Sequence, residues 1–367
     1  MLDREAGTDL VPAISMIGRS LSLSLILLSS SICVATPKSF RVLMFDTASI
    51  DSVTDYTIGQ ELADLRLGAR EGFKAALLKY PKCPISLEVA VETESSASFQ
   101  KRLIKLKEGS LKGPKTALVG FSRSSNSKTV AHLLHGTSII GISAGAAANL
   151  SEINPRFFSV ASPLRKQWEK IKEIFKQQEC SEVLGTFPSL TGFSAQLKDY
   201  FLTDKQGVLI EGVSNLPKTG GNQCLFFGSN FSESFPELVR VLQSDRIAKV
   251  IGTGDWAFAG KEIDALLSKT KSKTVILAPS GWPPGGFKEF KKAQKLRAMS
   301  EGEPTPILAY AYDATVLAVH SLCADVAVEK VWRTADTEST LIRRYTGIHF
   351  SNLESAFYTH KFSKASP

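Results

Sequence analysis

The residues best suited to binding chemistry lie in two short loops that are close together in the sequence. The first loop, 121–126 (FSRSSN), offers serine hydroxyls, an arginine and an asparagine. The second, 144–148 (AGAAA), consists of small residues that let a ligand approach the backbone. Hydroxyls and the N–H groups of helix N-termini suit a carboxylate or another small anion. The predicted ligand contacts in these loops are Ser122, Ser124, Ser125, Gly145, Ala146 and Ala147.

The second loop overlaps a motif of covalent catalysis. Residues 141–145 read Gly-Ile-Ser-Ala-Gly, which matches the G-x-S-x-G nucleophile elbow, and they follow an apolar run as that motif requires. A serine hydrolase also needs an acid and then a histidine downstream. The candidates are Asp255 or Asp313 with His320 or His349. Because the Asn-Pro pair at 154–155 would end the helix behind the nucleophile early, we interpret Ser143 as a strand-end residue and keep the hydrolase as an alternative.

Both loops are positioned by the elements that flank them. The apolar runs 116–120 and 138–143 have the length of strands and end on glycine or hydroxyl residues. Residues 128–134 lie between them, and their apolar positions recur at helical spacing. This order predicts a parallel βαβ unit, which places both loops at the carboxyl edge of one sheet, where ligands bind in open α/β folds.

The same alternation of strand and helix patterns covers most of the chain and predicts an α/β fold with two Rossmann-like lobes of parallel sheet. Further strands are predicted at 40–45, 85–91, 156–161, 182–187, 207–213, 223–228, 249–252 and 274–278. Further helices are predicted at 60–80, 99–111, 168–178, 194–201, 235–243, 287–300 and 307–327. A last strand is predicted at 347–350.

Length and composition agree with this expectation. The 367 residues suffice for two lobes, and 43% hydrophobic with 22% charged residues is ordinary for a globular protein. The net charge of +8 is spread along the chain, and its densest cluster, 288–297, is typical of a solvated helix face. Since no nucleic-acid-binding motif accompanies the charge, we expect no nucleic-acid partner.

The amino end predicts export. After Met16 and one arginine, an apolar core runs from Leu21 to Leu28 and is followed by small residues, with a cleavage site before Thr36. Residues 1–15 carry three acids and one base, which is unlike a signal's leading region and favours Met16 as the start. We therefore predict a signal peptide over 1–35 and a periplasmic protein. A lipoprotein anchored at Cys33 is the alternative, disfavoured by the bulky residue before it.

Export decides how the remaining cysteines are interpreted. Four stay after cleavage: Cys83, Cys180, Cys224 and Cys323. They allow three pairings, of which Cys180 with Cys224 is favoured because both fall in one predicted lobe, with free thiols as the alternative. Because no CxxC or histidine-rich spacing is present, we predict no metal site.

Several segments, in order, resemble one family: the extracellular solute-binding proteins of branched-chain amino-acid ABC transporters, which have the type I periplasmic-binding fold. The segments are 67–73 (LGAREGF), 119–120 with the serine loop after it, 142–146 (ISAGA), 154–158 (NPRFF) and 311–314 (AYDA). The resemblance implies a monomer without cofactor or catalytic activity that captures a small polar ligand, an amino acid, amide or small acid, and delivers it to an ABC permease.

The resemblance also implies where the lobes and the ligand lie. It divides the chain into 36–162 plus 280–331 and 163–279 plus 332–367, with the ligand clasped between the lobes by hinge closure. The two loops of the first lobe would hold a carboxylate, and Asp255 of the second lobe would hold an amino group.

Some positions depart from the family pattern. Ala147 replaces a frequent threonine, and Ile58 and Thr191 replace aromatic residues that precede a loop glycine. The pocket is therefore expected to use other aromatic residues, namely Tyr56, Phe121, Phe193 and Trp256. These departures also leave open a sensing or protein-interaction module that kept the fold.

Overall fold

The computed structural model describes residues 40–47, 55–92, 96–110, 115–121, 124–161, 163–189, 192–216, 222–281, 291–300, 305–324 and 358–364. All of them belong to one compact unit. The predicted signal peptide and the predicted strand at 347–350 lie outside the described residues.

The first sheet has five parallel strands in the order β2-β1-β3-β4-β5. Its strands are β1 (Phe40–Thr47), β2 (Ile85–Glu92), β3 (Lys115–Gly120), β4 (Ile140–Ser143) and β5 (Phe157–Ser159). Its connecting helices are α1 (Asp55–Lys79), α2 (Ser96–Gly109) and α3 (Ser124–Leu133). Strands β3 and β4 are buried on both faces, which explains their continuous apolar sequences.

The second sheet has six strands in the order β11-β10-β9-β8-β6-β7. Its strands are β6 (Glu182–Thr186), β7 (Val208–Leu209), β8 (Gln223–Phe227), β9 (Lys249–Ile251), β10 (Val275–Ser280) and β11 (Tyr358–Phe362). Its helices are α4 (Leu164–Gln177), α5 (Gly192–Thr203), α6 (Phe231–Ser244) and α7 (Gly260–Lys269). Strand β11 runs antiparallel to β10, while the other pairings are parallel.

After α8 (Lys291–Met299), the long helix α9 (Pro306–Cys323) packs on α1 and the first sheet. Two glycines allow the close approach of α1 and α9. A Cβ on Gly68 would lie 2.2 Å from the Leu308 carbonyl oxygen, and one on Gly72 would lie 2.4 Å from that of Tyr312. Helix α9 is apolar enough to span a membrane, but 89% of it is buried in the protein, as in a core helix.

Two disulfides fasten the fold. Cys180 pairs with Cys224 within the second sheet's region, which confirms the favoured pairing, and Cys83 pairs with Cys323. The latter bond ties the turn after α1 to the end of α9 across 240 positions. The alternative of free thiols is therefore wrong for these four cysteines.

Several elements differ from the sequence prediction. Helix α3 begins at Ser124 rather than at residue 128, because serine and asparagine, poor in helix interiors, are favoured at helix starts. Helix α7 was not predicted, since only Ile263 and Leu267 of its residues are buried. Strand β11 was not predicted, and β7 is shorter than the predicted 207–213.

Candidate functional site

The first rim is the carboxyl edge of β3 and β4, formed by Phe121, the first turn of α3 (124–127) and residues 143–147. These strands are parallel neighbours, with Gly120 opposite Ser143. A hydrogen bond crosses the rim from the Ala147 N–H to the Ser124 Oγ at 3.1 Å. The two predicted loops therefore meet at one edge of one sheet, as the sequence predicts.

The Ser143 hydroxyl fastens the first rim from inside. It donates to the Phe121 carbonyl oxygen at 2.5 Å and accepts the Ala146 N–H at 2.9 Å. The Ser127 hydroxyl donates to the same carbonyl at 2.8 Å. Phe121 has a φ of 57°, which turns its carbonyl toward these donors and is unusual for a residue with a side chain.

These contacts give no support to the serine hydrolase alternative. Ser143 is only 1% exposed, and its proton is committed to a backbone carbonyl. Of the candidate partners, His320 is hydrogen-bonded through Nδ1 to the Tyr80 hydroxyl at 2.9 Å, and Asp255 lies in the short helical turn after β9 of the second sheet. His349 lies outside the described residues.

The other predicted contacts of the first lobe occupy different environments. Gly145 is part-exposed, whereas Ala146 is buried in the first sheet's core. Ala147 packs in a cluster with Leu164 and Trp168 of α4. Ser122 lies outside the described residues, and Ser125 and Tyr56 are helical residues whose side chains are not described.

The second rim is the carboxyl edge of β8 and β9, formed by residues 228–231 and 252–256. Asp255 lies here and is part-buried. Its Oδ2 accepts the Phe231 N–H at 2.7 Å, at the start of α6, and its Oδ1 accepts the Thr253 hydroxyl. Burial raises the pKa of Asp255, and these hydrogen bonds oppose the rise.

Trp256 packs in the hydrophobic core next to the second rim. Its side chain is fully buried, with ring centroids 5.4 Å from those of Phe227 and Phe231. Its indole N–H donates to the Ser229 carbonyl at 3.2 Å. The Trp256 ring is thus a core group here, and its predicted contact with ligand stays a prediction.

A chain of hydroxyls joins α5 to Asp255. The Ser194 and Ser229 hydroxyls lie 2.8 Å apart, and the Thr253 hydroxyl shares its one proton between the Ser229 carbonyl oxygen, at 3.1 Å, and the Asp255 Oδ1. Phe193, beside Ser194, is part-exposed and joins the apolar cluster that includes Ala147. Helix α5 also contacts α3 of the first rim. Of the predicted contacts, Phe193 therefore packs in one cluster with Ala147, and α5 is linked to Asp255 by hydrogen bonds.

Sequence reasoning missed Ser194, Ser229 and Thr253. Ser229 and Thr253 each follow a strand and a glycine, and glycine and serine likewise occur where β3 and β4 end, so a strand end with glycine and hydroxyl residues is the signal common to both rims. Among the described residues, no cluster of histidine, cysteine and acidic side chains could hold a metal ion.

The two sets of largely parallel strands, each with helices, match the type I periplasmic-binding fold. Neither a protein-family model nor a curated protein matches the sequence.

Solved structures match the fold at low sequence identity. One is a branched-chain amino acid transporter substrate-binding protein from Streptococcus pneumoniae in complex with isoleucine (14% identity, 88% of this chain and 99% of that chain, TM-score 0.59). Another is an ABC transporter substrate-binding protein from Desulfitobacterium hafniense in complex with leucine (14%, 79% and 85%, 0.56). A third is an ABC transporter solute-binding protein from Rhodopseudomonas palustris in complex with p-hydroxybenzoic acid (16%, 78% and 81%, 0.56).

Proposed function

We propose that this chain is an extracytoplasmic solute-binding protein that captures a small polar molecule and delivers it to an ABC permease without transforming it. The observation that carries the proposal is the meeting of the two loops at the first rim, joined by the bond between Ser124 and Ala147. In this proposal the second rim supplies the surface that faces the first rim, because α5 is hydrogen-bonded to the second rim and contacts α3 of the first. The similar solved structures are ABC transporter binding proteins in complex with small ligands, which supports this function.

The proposed lobes are 36–162 plus 280–331 and 163–279 plus 332–367. The packing of α9 on the first sheet and the pairing of β11 with β10 support this division. The extracytoplasmic location is supported by the apolar segment 21–28 and by the two disulfides, which persist in oxidising compartments. Export and a monomeric state remain part of the proposal.

The proposed pocket lies between the rims. Its contacts are Ser122, Ser124, Ser125, Gly145 and Ala147 from the first lobe and Phe193 and Asp255 from the second. Closure of the lobes would remove the ligand from water and strengthen each hydrogen bond. A micromolar dissociation constant needs about 8 kcal/mol, which a few hydrogen bonds and one aromatic contact supply.

A thermal-shift screen of residues 36–367 against amino acids, their amides and small aromatic acids tests the function. A ligand at about 100 times its Kd adds about 2.7 kcal/mol to the unfolding free energy, so Tm should rise by several degrees. Hits are then measured by calorimetry in Asp255→Asn, which should weaken binding, and in the control Asp264→Asn on the exposed side of α7, which should not. A screen without any stabilising ligand would contradict the proposal and favour a protein-interaction module.

A further inference from the structure

The backbone N–H groups of 144–147 are the donors that the sequence predicts for an anionic ligand. The structure uses three of them internally. The Ala144 N–H donates to the Gly120 carbonyl at 2.8 Å, that of Ala146 to Ser143 Oγ at 2.9 Å, and that of Ala147 to Ser124 Oγ at 3.1 Å. An anion could use these three groups only by replacing an internal partner. The fourth N–H, that of the part-exposed Gly145, donates to no acceptor among the described residues, and one donor alone does not satisfy a carboxylate.

The three internal bonds differ in how readily a ligand could replace them. The Ala144 bond continues the ladder between β4 and β3. Ser143 is 1% exposed and is held by its own bond to Phe121. Ser124, in contrast, is part-exposed at the first turn of α3 and reaches across the rim. Of the three internal bonds, the one between Ser124 and Ala147 is therefore the one that a ligand could replace most readily.

We propose that Ser124 is a specificity-determining residue whose hydroxyl takes the place of a ligand oxygen on the Ala147 N–H, so that the site favours neutral polar ligands over carboxylates. This inference rests on the proposed function, because it concerns the ligand of that pocket. The Ser124 hydroxyl accepts the N–H and keeps one proton to donate. An amide or hydroxyl oxygen is satisfied by one such donor, whereas a carboxylate needs several to offset its desolvation.

The rest of the loop is fixed in this arrangement. The Ala147 carbonyl accepts the Leu164 N–H at 2.9 Å, and the Ala146 carbonyl accepts the Ser159 hydroxyl. The loop cannot rotate to present other N–H groups without breaking these bonds. The second rim adds Asp255, an acid, which does not attract a carboxylate.

Sodium acetate serves as the carboxylate probe for residues 36–367 labelled with ¹⁵N-alanine, with sodium chloride at equal ionic strength as reference. In the unmodified chain, acetate should leave the Ala147 amide resonance unshifted. In Ser124→Ala the freed N–H should show a saturable shift. Ser124→Thr keeps the hydroxyl and should behave like the unmodified chain, as should Ser138→Ala at an exposed control position. A similar acetate shift in the unmodified chain, or none in Ser124→Ala, overturns the inference.

Calorimetry with L-leucine and L-leucinamide, which differ in the carboxylate, measures the same property as selectivity. Ser124→Ala should move the preference toward leucine by about ten-fold, since a charge-assisted hydrogen bond is worth at least that factor. An unchanged preference, or weaker leucine binding, overturns the role of Ser124. Failure of the ligand screen would overturn the proposed function instead, and the acetate response of Ala147 would still decide the role of Ser124.

Discussion

Both rims lie where two parallel strands end and contain glycine and hydroxyl residues, but they differ in polarity. In the first rim, Ser143 bonds to the Ala146 N–H of its own loop and Ser124 bonds to the Ala147 N–H of the facing loop, so these hydrogen bonds join neutral groups. In the second rim, the Ser229 carbonyl accepts hydrogen bonds from the Thr253 hydroxyl and the Trp256 indole N–H. The Thr253 hydroxyl is also hydrogen-bonded to the carboxyl group of Asp255. The second rim therefore contains an ionisable group, whereas the described side chains that form the first rim's bonds are neutral.

This difference shows that a strand end with glycine and hydroxyl residues specifies a rim but not its ligand. The same local pattern closes the first rim with neutral bonds and buttresses a carboxyl group in the second. Ligand preference then depends on which hydrogen-bond donors are not already used by internal hydrogen bonds. The following experiments weaken one rim at a time, from the largest expected effect to the smallest.

Trp256→Ala should break the second rim. Loss of this fully buried ring and its indole bond should lower the unfolding free energy by about 3–5 kcal/mol, measured by urea denaturation. Trp256→Phe fills part of the space and should cost less. A loss below about 1 kcal/mol for the alanine variant would show that the ring does not support the rim.

Removing each disulfide compares the supports of the two sheets. Cys83→Ser with Cys323→Ser opens a separation of 240 positions, against 44 for Cys180→Ser with Cys224→Ser. Each pair should cost about 2–4 kcal/mol, and chain entropy makes the first pair costlier by about 1.5 kcal/mol. Chemical denaturation of both variants checks the order, and a larger loss for the second pair would contradict the entropic account.

Ser143→Ala should loosen the first rim without abolishing the fold. It leaves the buried Ala146 N–H and part of the Phe121 carbonyl's bonding unsatisfied, which should cost about 1–3 kcal/mol. Ser138→Ala, at an exposed position, should change stability by less than about 0.5 kcal/mol. Equal losses for the two variants would remove the structural role of Ser143.

The pH dependence of stability should separate the rims most finely. Burial raises the pKa of Asp255 above its usual 3.8 in the folded state. The unfolded chain then loses this proton first, so the contribution of Asp255 to stability is present below about 3.8 and declines as pH rises through the folded value. The unfolding free energy of the unmodified chain minus that of Asp255→Asn should therefore fall with rising pH.

Ser124→Ala gives the matching measurement for the first rim, where no titrating group is removed. Its cost should be about 0.5–1.5 kcal/mol and should not vary with pH. The unfolding free energy of both variants is measured by denaturation from pH 3 to pH 8, in steps of about one pH unit. A flat profile for Asp255→Asn, or a sloping one for Ser124→Ala, would contradict the assigned polarity of the rims.

Much of the fold could be predicted because parallel strands buried on both faces need continuous apolar runs. The segments 116–120 and 223–228 illustrate this, since each became a buried strand within one residue of its predicted bounds. Strand β11 escaped because it is stabilised by pairing with β10, a distant part of the chain, rather than by a strong local pattern. Helix α7 escaped because it is short and only Ile263 and Leu267 of its residues are buried.

The sequence by itself determined the alternating strands and helices and the two polar loops that follow β3 and β4. Its export signal stays a prediction. Only the tertiary structure decided the partners of those loops, because a serine hydroxyl bonds whichever group the fold brings within reach. Serine is locally favoured at the start of a helix, and Ser124 lies at the first turn of α3. Its role as a hydrogen-bond acceptor depends instead on Ala147, which comes from the loop after the next strand. Local preference selects the element, and spatial proximity selects the hydrogen bond.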